Sequence, residues 1–262
     1  MLEARDTGAE DALSGPSGSN RRVFGADARK PILVVLHQRH SNPGHVGQWF
    51  QRNGYALDIR RPCFDDPLPE SLRDHSGAVI FGGPQSANDS DGYIRREVAW
   101  VGVALKENKP FLGICLGAQM LAHHLGARVD CCQDANVEIG YHPIRCVDPA
   151  KTLGDLPNYV YQWHREGFEI PSGGKLLAVS EGGAFPNQAM RYGAGAVGLQ
   201  FHPEITYAQV NRWSGGNPTR LLMRGARPRP DHLAGHLIHG PCVRAWLDRF
   251  LSRWVKNELA PA

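Results

Sequence analysis

Between Lys109 and Gln119 the chain reads Lys-Pro-Phe-Leu-Gly-Ile-Cys-Leu-Gly-Ala-Gln, and a strand and a helix meet there with no loop between them. Phe111–Ile114 is a short continuous apolar run, the mark of a strand covered on both faces. Leu116–Leu125 follows at once as a helix-forming run, stopped by Gly126. The same alternation recurs upstream. Ile32–Leu36 is a second buried run; a Ser-Asn-Pro-Gly turn and a short helix carrying Val46, Trp49 and Phe50 come after it, ending near Gly54. Ala56–Ile59 and Gly77–Phe81 read as further strands. Ile94, Val98, Val101 and Leu105 lay an apolar stripe along a helix between Tyr93 and Glu107. Strands alternating with helices at this spacing predict an α/β fold: an open, mostly parallel sheet with flanking helices on both faces.

From Ala127 to Phe201 helical stripes vanish. Short strands are expected at Arg128–Cys132, Glu138–Val147, Tyr159–Trp163, Leu176–Ser180, Gln188–Tyr192 and Ala196–Phe201. They make a β-rich second half, laid on the first sheet within one domain spanning 31–262. Val243, Trp246, Leu247, Phe250, Leu251, Trp254 and Val255 mark the apolar face of a terminal helix. Residues 1–30 hold five basic and five acidic side chains with few apolar ones, and read as a flexible leader unable to offset its ordering entropy.

Composition excludes several classes of function. A net charge of +3 gives no ground for a nucleic-acid partner. Six cysteines in 262 residues, with no C-x-x-C pair, are neither a disulfide framework nor a zinc knuckle. No apolar run is long enough for a membrane span, and the first residues lack a signal peptide's apolar stretch. The expectation is a soluble cytoplasmic protein acting on a small molecule, with no cofactor, no nucleic acid and no membrane.

The chemistry is written around Cys115. Gly113 and Gly117 flank it, making G-x-C-x-G, the thiol version of a nucleophile elbow. Small neighbours permit a sharp strand-to-helix turn that presents the side chain at the sheet's carboxyl edge. The helix N-terminus then faces the sulfur with its positive dipole end, which favours a thiolate, and leaves the Leu116 N–H free for a developing oxyanion. A thiolate needs a base and the base an orienter. Gly198-Leu-Gln-Phe-His-Pro-Glu204 supplies His202 after a buried strand, with Glu204 two residues on. With twelve histidines in the chain, His-Pro-Glu alone is weak evidence; pairing with the elbow gives it weight. Phe81-Gly-Gly-Pro-Gln85 lets backbone approach a ligand, with Gly83 as a second oxyanion donor; alone it reads as a tight turn.

Taken together, G-I-C-L-G-A-Q, G-G-P and G-L-Q-F-H-P-E resemble class I (triad) glutamine amidotransferases in order and approximate spacing, over residues 31–213. The likeness extends to stand-alone proteins similar to the amidotransferase domain of GMP synthase, through Glu138–Gly140, Gln162–His164 and Asn187–Ala189. The resemblance implies a flavodoxin-like sheet. It further implies Cys115 as nucleophile, His202 as base and then acid, Glu204 as orienter, and Gly83 with Leu116 as oxyanion donors. Gln119, Trp163 and His164 would contact a glutamine-like substrate, releasing ammonia and then glutamate. Where H-G-D is common in those relatives, this chain has His164-Arg165-Glu166, a bulky cation at the substrate mouth. Neither the S-G-G-x-D-S loop of GMP synthase nor a P-loop is present, so complete GMP synthesis is not expected.

Three readings follow: a glutaminase delivering ammonia to a separate acceptor enzyme, a stand-alone γ-glutamyl peptidase, and a non-catalytic binding module. The intact Cys115–His202–Glu204 set argues against the last. His232, His236 and His239, at i, i+4 and i+7, read as a surface or interface cluster with no metal, in a segment closed by Gly240-Pro241. The arginines at 212, 220, 224, 227 and 229 read as a solvated basic loop.

Overall fold

The computed structural model of the protein describes residues 29–259, so the expected leader lies outside the described residues except for Arg29 and Lys30. The elements, in order, are β1 (Ile32–Val35), α1 (Gly44–Arg52), β2 (Leu57–Arg60), β3 (Gly77–Ile80), α2 (Gly92–Lys106), β4 (Phe111–Ile114), α3 (Leu116–His124), β5 (Val129–Cys131), β6 (Glu138–Cys146), β7 (Tyr159–His164), β8 (Glu166–Phe168), β9 (Gly174–Ser180), β10 (Asn187–Tyr192), β11 (Ala196–Leu199), α4 (Tyr207–Gly216) and α5 (Arg229–Trp254).

One sheet runs in the order β2-β1-β3-β4-β11-β10-β9-β6-β7. From β2 to β11 every pairing is parallel, in the 2-1-3-4-5 order of doubly wound sheets, and beyond β11 the pairings are antiparallel. The β-rich half therefore extends the sheet edge to edge through β11 and is not laid on its face. Ala196–Leu199, buried throughout, fills the slot beside β4. Strands β5 and β8 form a separate ribbon.

Alternation along each buried strand splits the core in two. Ile32, Val34, Val79, Leu112 and Val197 face α1 and α5, where Phe50, Trp246, Phe250 and Trp254 cover them. Leu33, Val35, Ala78, Ile80 and Phe111 face α2 and α3. The terminal helix is longer than expected. It starts at Arg229 and continues through Pro241, because the proline frees only the Leu237 carbonyl, on a stretch where Leu237 and Ile238 are exposed and water can bond it. Helix α4 was not foreseen, although Thr206 and Gln209 form a capping box that the sequence spells out.

Register sets the working end of the sheet. Val35 pairs with Ile80, Ile80 with Gly113, and Ile114 with Leu199, so four parallel strands end side by side. The elbow glycines serve close packing there. A methyl on Gly117 would lie 2.1 Å from the Ile80 carbonyl oxygen, and one on Gly113 2.4 Å from the Gly117 oxygen. Gly117→Ala should therefore cost roughly 1–3 kcal/mol in urea unfolding. Gly216→Ala, in open space at the end of α4, should be neutral or stabilising. Equal effects of the two would show that backbone contact at the elbow does not limit packing.

Candidate active site

Cys115 sits between β4 and α3 with φ 52° and ψ −106°, a left-handed conformation that a non-glycine residue adopts only under constraint. The constraint is visible. Its N–H donates to Leu199 O at 2.8 Å and its carbonyl accepts from Gln119 N at 3.0 Å, pinning the turn on both sides. The side chain, buried, emerges where the four parallel strands end.

The loop after β11 brings His202 to the same point. Its N–H donates to Tyr161 O at 2.8 Å, tying the loop to β7. His202 Nδ1 and Glu204 Oε1 are 2.8 Å apart, both side chains buried. Nε2, also buried, makes no hydrogen bond among the described residues and is the ring nitrogen left for the Cys115 sulfur. Gly82 shows how close the two residues are: a methyl there would lie 2.8 Å from His202 Cε1 and 3.3 Å from Cys115 Cβ. Trp213, from the unforeseen α4, meets the imidazole edge to face at 5.1 Å. Burial by itself lowers the His202 pKa, but the Glu204 carboxylate and the Cys115 sulfur outweigh it and push it up to about 10.

Two cavities meet at Cys115. The larger, about 300 Å3, is bordered by His202, Glu204, Gln38, Asn42, Arg212 and Arg220. The smaller, about 30 Å3, is bordered by Gly83, Gln119, His164, Arg165 and Arg220. Trp163 and Gly83 line both. Neither the Gly83 nor the Leu116 N–H donates to a protein acceptor among the described residues. Gln119 reaches the smaller cavity with its amide already in use, donating to Glu166 O at 2.8 Å. The His164 ring is likewise occupied, facing Glu166 O through Nδ1 and the Gln162 and Glu138 side chains through Nε2. Burial raises the Glu138 pKa, yet the hydrogen bond from His164 holds it below the usual carboxylate range. His164 thus stiffens the wall.

Two readings of the basic segment are corrected. Arg212 lies on α4 and Arg220 in a short 3-10 turn, Pro218–Leu222, and both border the large cavity. Burial lowers the Arg220 pKa and the like charge of Arg165 lowers it further. The surface reading of the three α5 histidines fails for His232 alone, since His236 and His239 are only half-buried. His232 is buried; its Nε2 donates to Arg227 O at 2.9 Å, so its Nδ1 accepts from the Tyr161 hydroxyl at 2.9 Å. His236 bonds Tyr141, and His239 stacks on Tyr159 at 4.5 Å. Sequence reasoning also missed His37 and Glu97, which lie 2.8 Å apart behind Gly82 and Gly83. The sequence offered little signal: His37 is simply the first of a polar run, His37-Gln-Arg-His40, after the buried strand.

By linkage, the raised His202 pKa contributes stability that is complete below pH 6.5 and lost as pH rises through about 10. In the wild type the His202 ring protons should titrate in NMR with a midpoint near 10. Glu204→Gln removes the charge that outweighs burial, so the midpoint should fall. A midpoint that stayed put would mean the carboxylate does not hold the proton.

Comparison with known proteins gives the family. The family described as glutamine amidotransferase class-I matches residues 47–211. A glutamine amidotransferase-like protein of Salmonella typhimurium, YfeJ, is 31% identical over 189 residues, covering 68% of this chain and 77% of its own. A glutamine-hydrolysing GMP synthase of Neisseria meningitidis is 32% identical over 158 residues, 57% of this chain; the match spans only 28% of the synthase. The crystal structure of a glutamine amidotransferase from Thermotoga maritima superposes with a TM-score of 0.78 at 29% identity, covering 86% of this chain and 98% of that one. One from Methylobacillus flagellatus gives 0.80 at 25% identity, covering 87% and 95%. No helix among the described residues is long and apolar enough to cross a membrane. With a Cys115 elbow, a histidine and carboxylate beside it, and a family match over most of its length, this chain belongs to the class-I glutamine amidotransferases.

Proposed function

We propose that Cys115, His202 and Glu204 hydrolyse the side-chain amide of glutamine through a cysteine thioester. The observation that carries this is the split use of one imidazole: Nδ1 is held by Glu204, while Nε2 is buried beside the thiol, with no hydrogen-bond partner among the described residues. With the proton resident on His202, the Cys115 thiolate attacks the amide carbon, and the oxyanion forms against the Gly83 and Leu116 N–H groups. His202 gives its proton to the departing ammonia. Water then attacks the γ-glutamyl thioester while His202 takes its proton, and glutamate leaves with Cys115 restored. In this reading the ammonia goes to a separate acceptor enzyme, because the lining of the two cavities includes no ATP-binding loop that would activate an acceptor.

A second reading, γ-glutamyl peptide hydrolysis by the same chemistry, is favoured by cavity size. The proton donor must face the leaving group, and His202 borders the larger cavity, not the smaller. Ammonia, like a water, needs only about 10–15 Å3 of such cavity space. About 300 Å3 with two arginines suits a larger, anionic amine.

Cys115→Ala should abolish turnover and labelling by a glutamine-like electrophile such as diazo-oxo-norleucine, with the fold kept. Label found by mass spectrometry on another cysteine, with Cys115 free, would sink the assignment. His202→Ala should lower kcat/KM by roughly 10²–10⁴, and Glu204→Gln by far less, because one moves the proton and the other orients it. One assay separates the readings: purified protein with glutamine, γ-glutamyl dipeptides and glutathione, with ammonia and glutamate measured separately. Ammonia from glutamine supports the first reading. Glutamate from γ-glutamyl peptides at much higher kcat/KM supports the second. No turnover of any substrate with Cys115 reduced would leave a binding module.

A further inference from the structure

We infer that His37, backed by Glu97, is a positioning residue that aims the Gly83 N–H at the reacting carbonyl; this rests on the acyl-transfer reading above. His37 follows the end of β1 and Glu97 lies on α2, and both side chains are wholly buried. His37 Nε2 lies 2.8 Å from Glu97 Oε2, and Nδ1 lies 3.3 Å from the Gly82 carbonyl oxygen. A carbonyl only accepts, so Nδ1 carries a hydrogen and donates it to Gly82.

That single bond orients a whole peptide unit. The Gly82 carbonyl and the Gly83 N–H belong to one planar trans peptide and point in opposite directions. Holding the carbonyl toward His37 turns the N–H away from it. Gly83 borders both cavities beside Cys115, and its N–H has no acceptor among the described residues. The hold matters because two consecutive glycines rotate with little steric resistance. A flipped peptide would present the Gly82 carbonyl, an acceptor, where the oxyanion forms. No other hydrogen bond reaches that carbonyl among the described residues. The ring also walls the turn by contact: a methyl on Gly83 would lie 2.9 Å from His37 Cγ. The pair is poorly suited to a purely stabilising role, since Glu97 Oε1 is buried with no hydrogen-bond partner among the described residues.

The test uses two substitutions that keep different halves of the contact. His37→Asn has a short amide that can still donate to the Gly82 carbonyl. His37→Gln reaches toward Glu97 and loses the Gly82 bond. For the substrate that the wild type turns over, His37→Gln should lower kcat roughly tenfold or more at unchanged KM, whereas His37→Asn keeps most of kcat. Alkylation of Cys115 by iodoacetamide, which forms no oxyanion, should proceed at the wild-type rate in both. Three results would overturn the inference: wild-type kcat in His37→Gln, an equal loss of kcat in His37→Asn, or an alkylation rate falling in step with kcat. Should His37→Gln not fold, the Asn variant decides, with kcat retained in support and kcat lost against. A wild-type protein that alkylates at Cys115 yet hydrolyses neither glutamine nor γ-glutamyl compounds would remove the acyl-transfer reading, and the positioning role with it.

Discussion

The contact between the first turn of α3 and the ends of β3 and β4 is backbone against backbone. Gly117 lies so close to the Ile80 carbonyl, and Gly113 so close to Gly117, that neither position has room for a side chain. The helix can begin immediately after the strand only because of this approach, and Cys115 absorbs the resulting turn in its own left-handed backbone. Everything else in the site is arranged around that fixed sulfur. The parallel register ends β1, β3, β4 and β11 together, so Gly82, Gly83 and the His202 loop emerge within reach of it, with His37 behind the glycines.

Electrostatics then separates three buried histidine–carboxylate pairs that look alike in a list of contacts. His164 and His37 each have both ring nitrogens engaged, the first in the wall of the smaller cavity and the second behind the Gly82–Gly83 turn. His202 has one nitrogen held by Glu204 and the other left open beside Cys115. A buried imidazole with a free nitrogen can exchange a proton with a reacting group; one with both sides bonded can only hold its surroundings in place. Pairing alone is therefore a poor guide to chemistry, and the free valence is the better one.

Helix α4 shows how the two cavities acquire their character. It places Trp213 against His202 and Arg212 at the edge of the larger cavity, while the following 3-10 turn brings Arg220 between the two. In the sequence this stretch is a Gly- and Pro-rich basic segment, and its helix is announced only by the Thr206–Gln209 box. Pro241 misleads in the opposite direction. A proline ordinarily ends a helix, but the apolar face beyond it, from Val243 to Trp254, is packed firmly enough against the sheet for α5 to run through.

Composition and order along the chain determined the alternating elements, the elbow at Cys115 and the candidacy of His202 and Glu204, because these depend on local periodicity and on glycine spacing that any reader of the chain can measure. Tertiary structure alone decided which polar groups are already spent. Gln119 and His164, expected at the substrate, line the smaller cavity with the Gln119 NH2 bonded to Glu166 O and the His164 ring facing Glu138, whereas Arg220 and His37 stand near the site with little sequence signal. The physical reason is range. Hydrophobic pattern and turn chemistry act between neighbours in sequence, while the partner of a buried polar atom comes from wherever the sheet order and register bring the chain back.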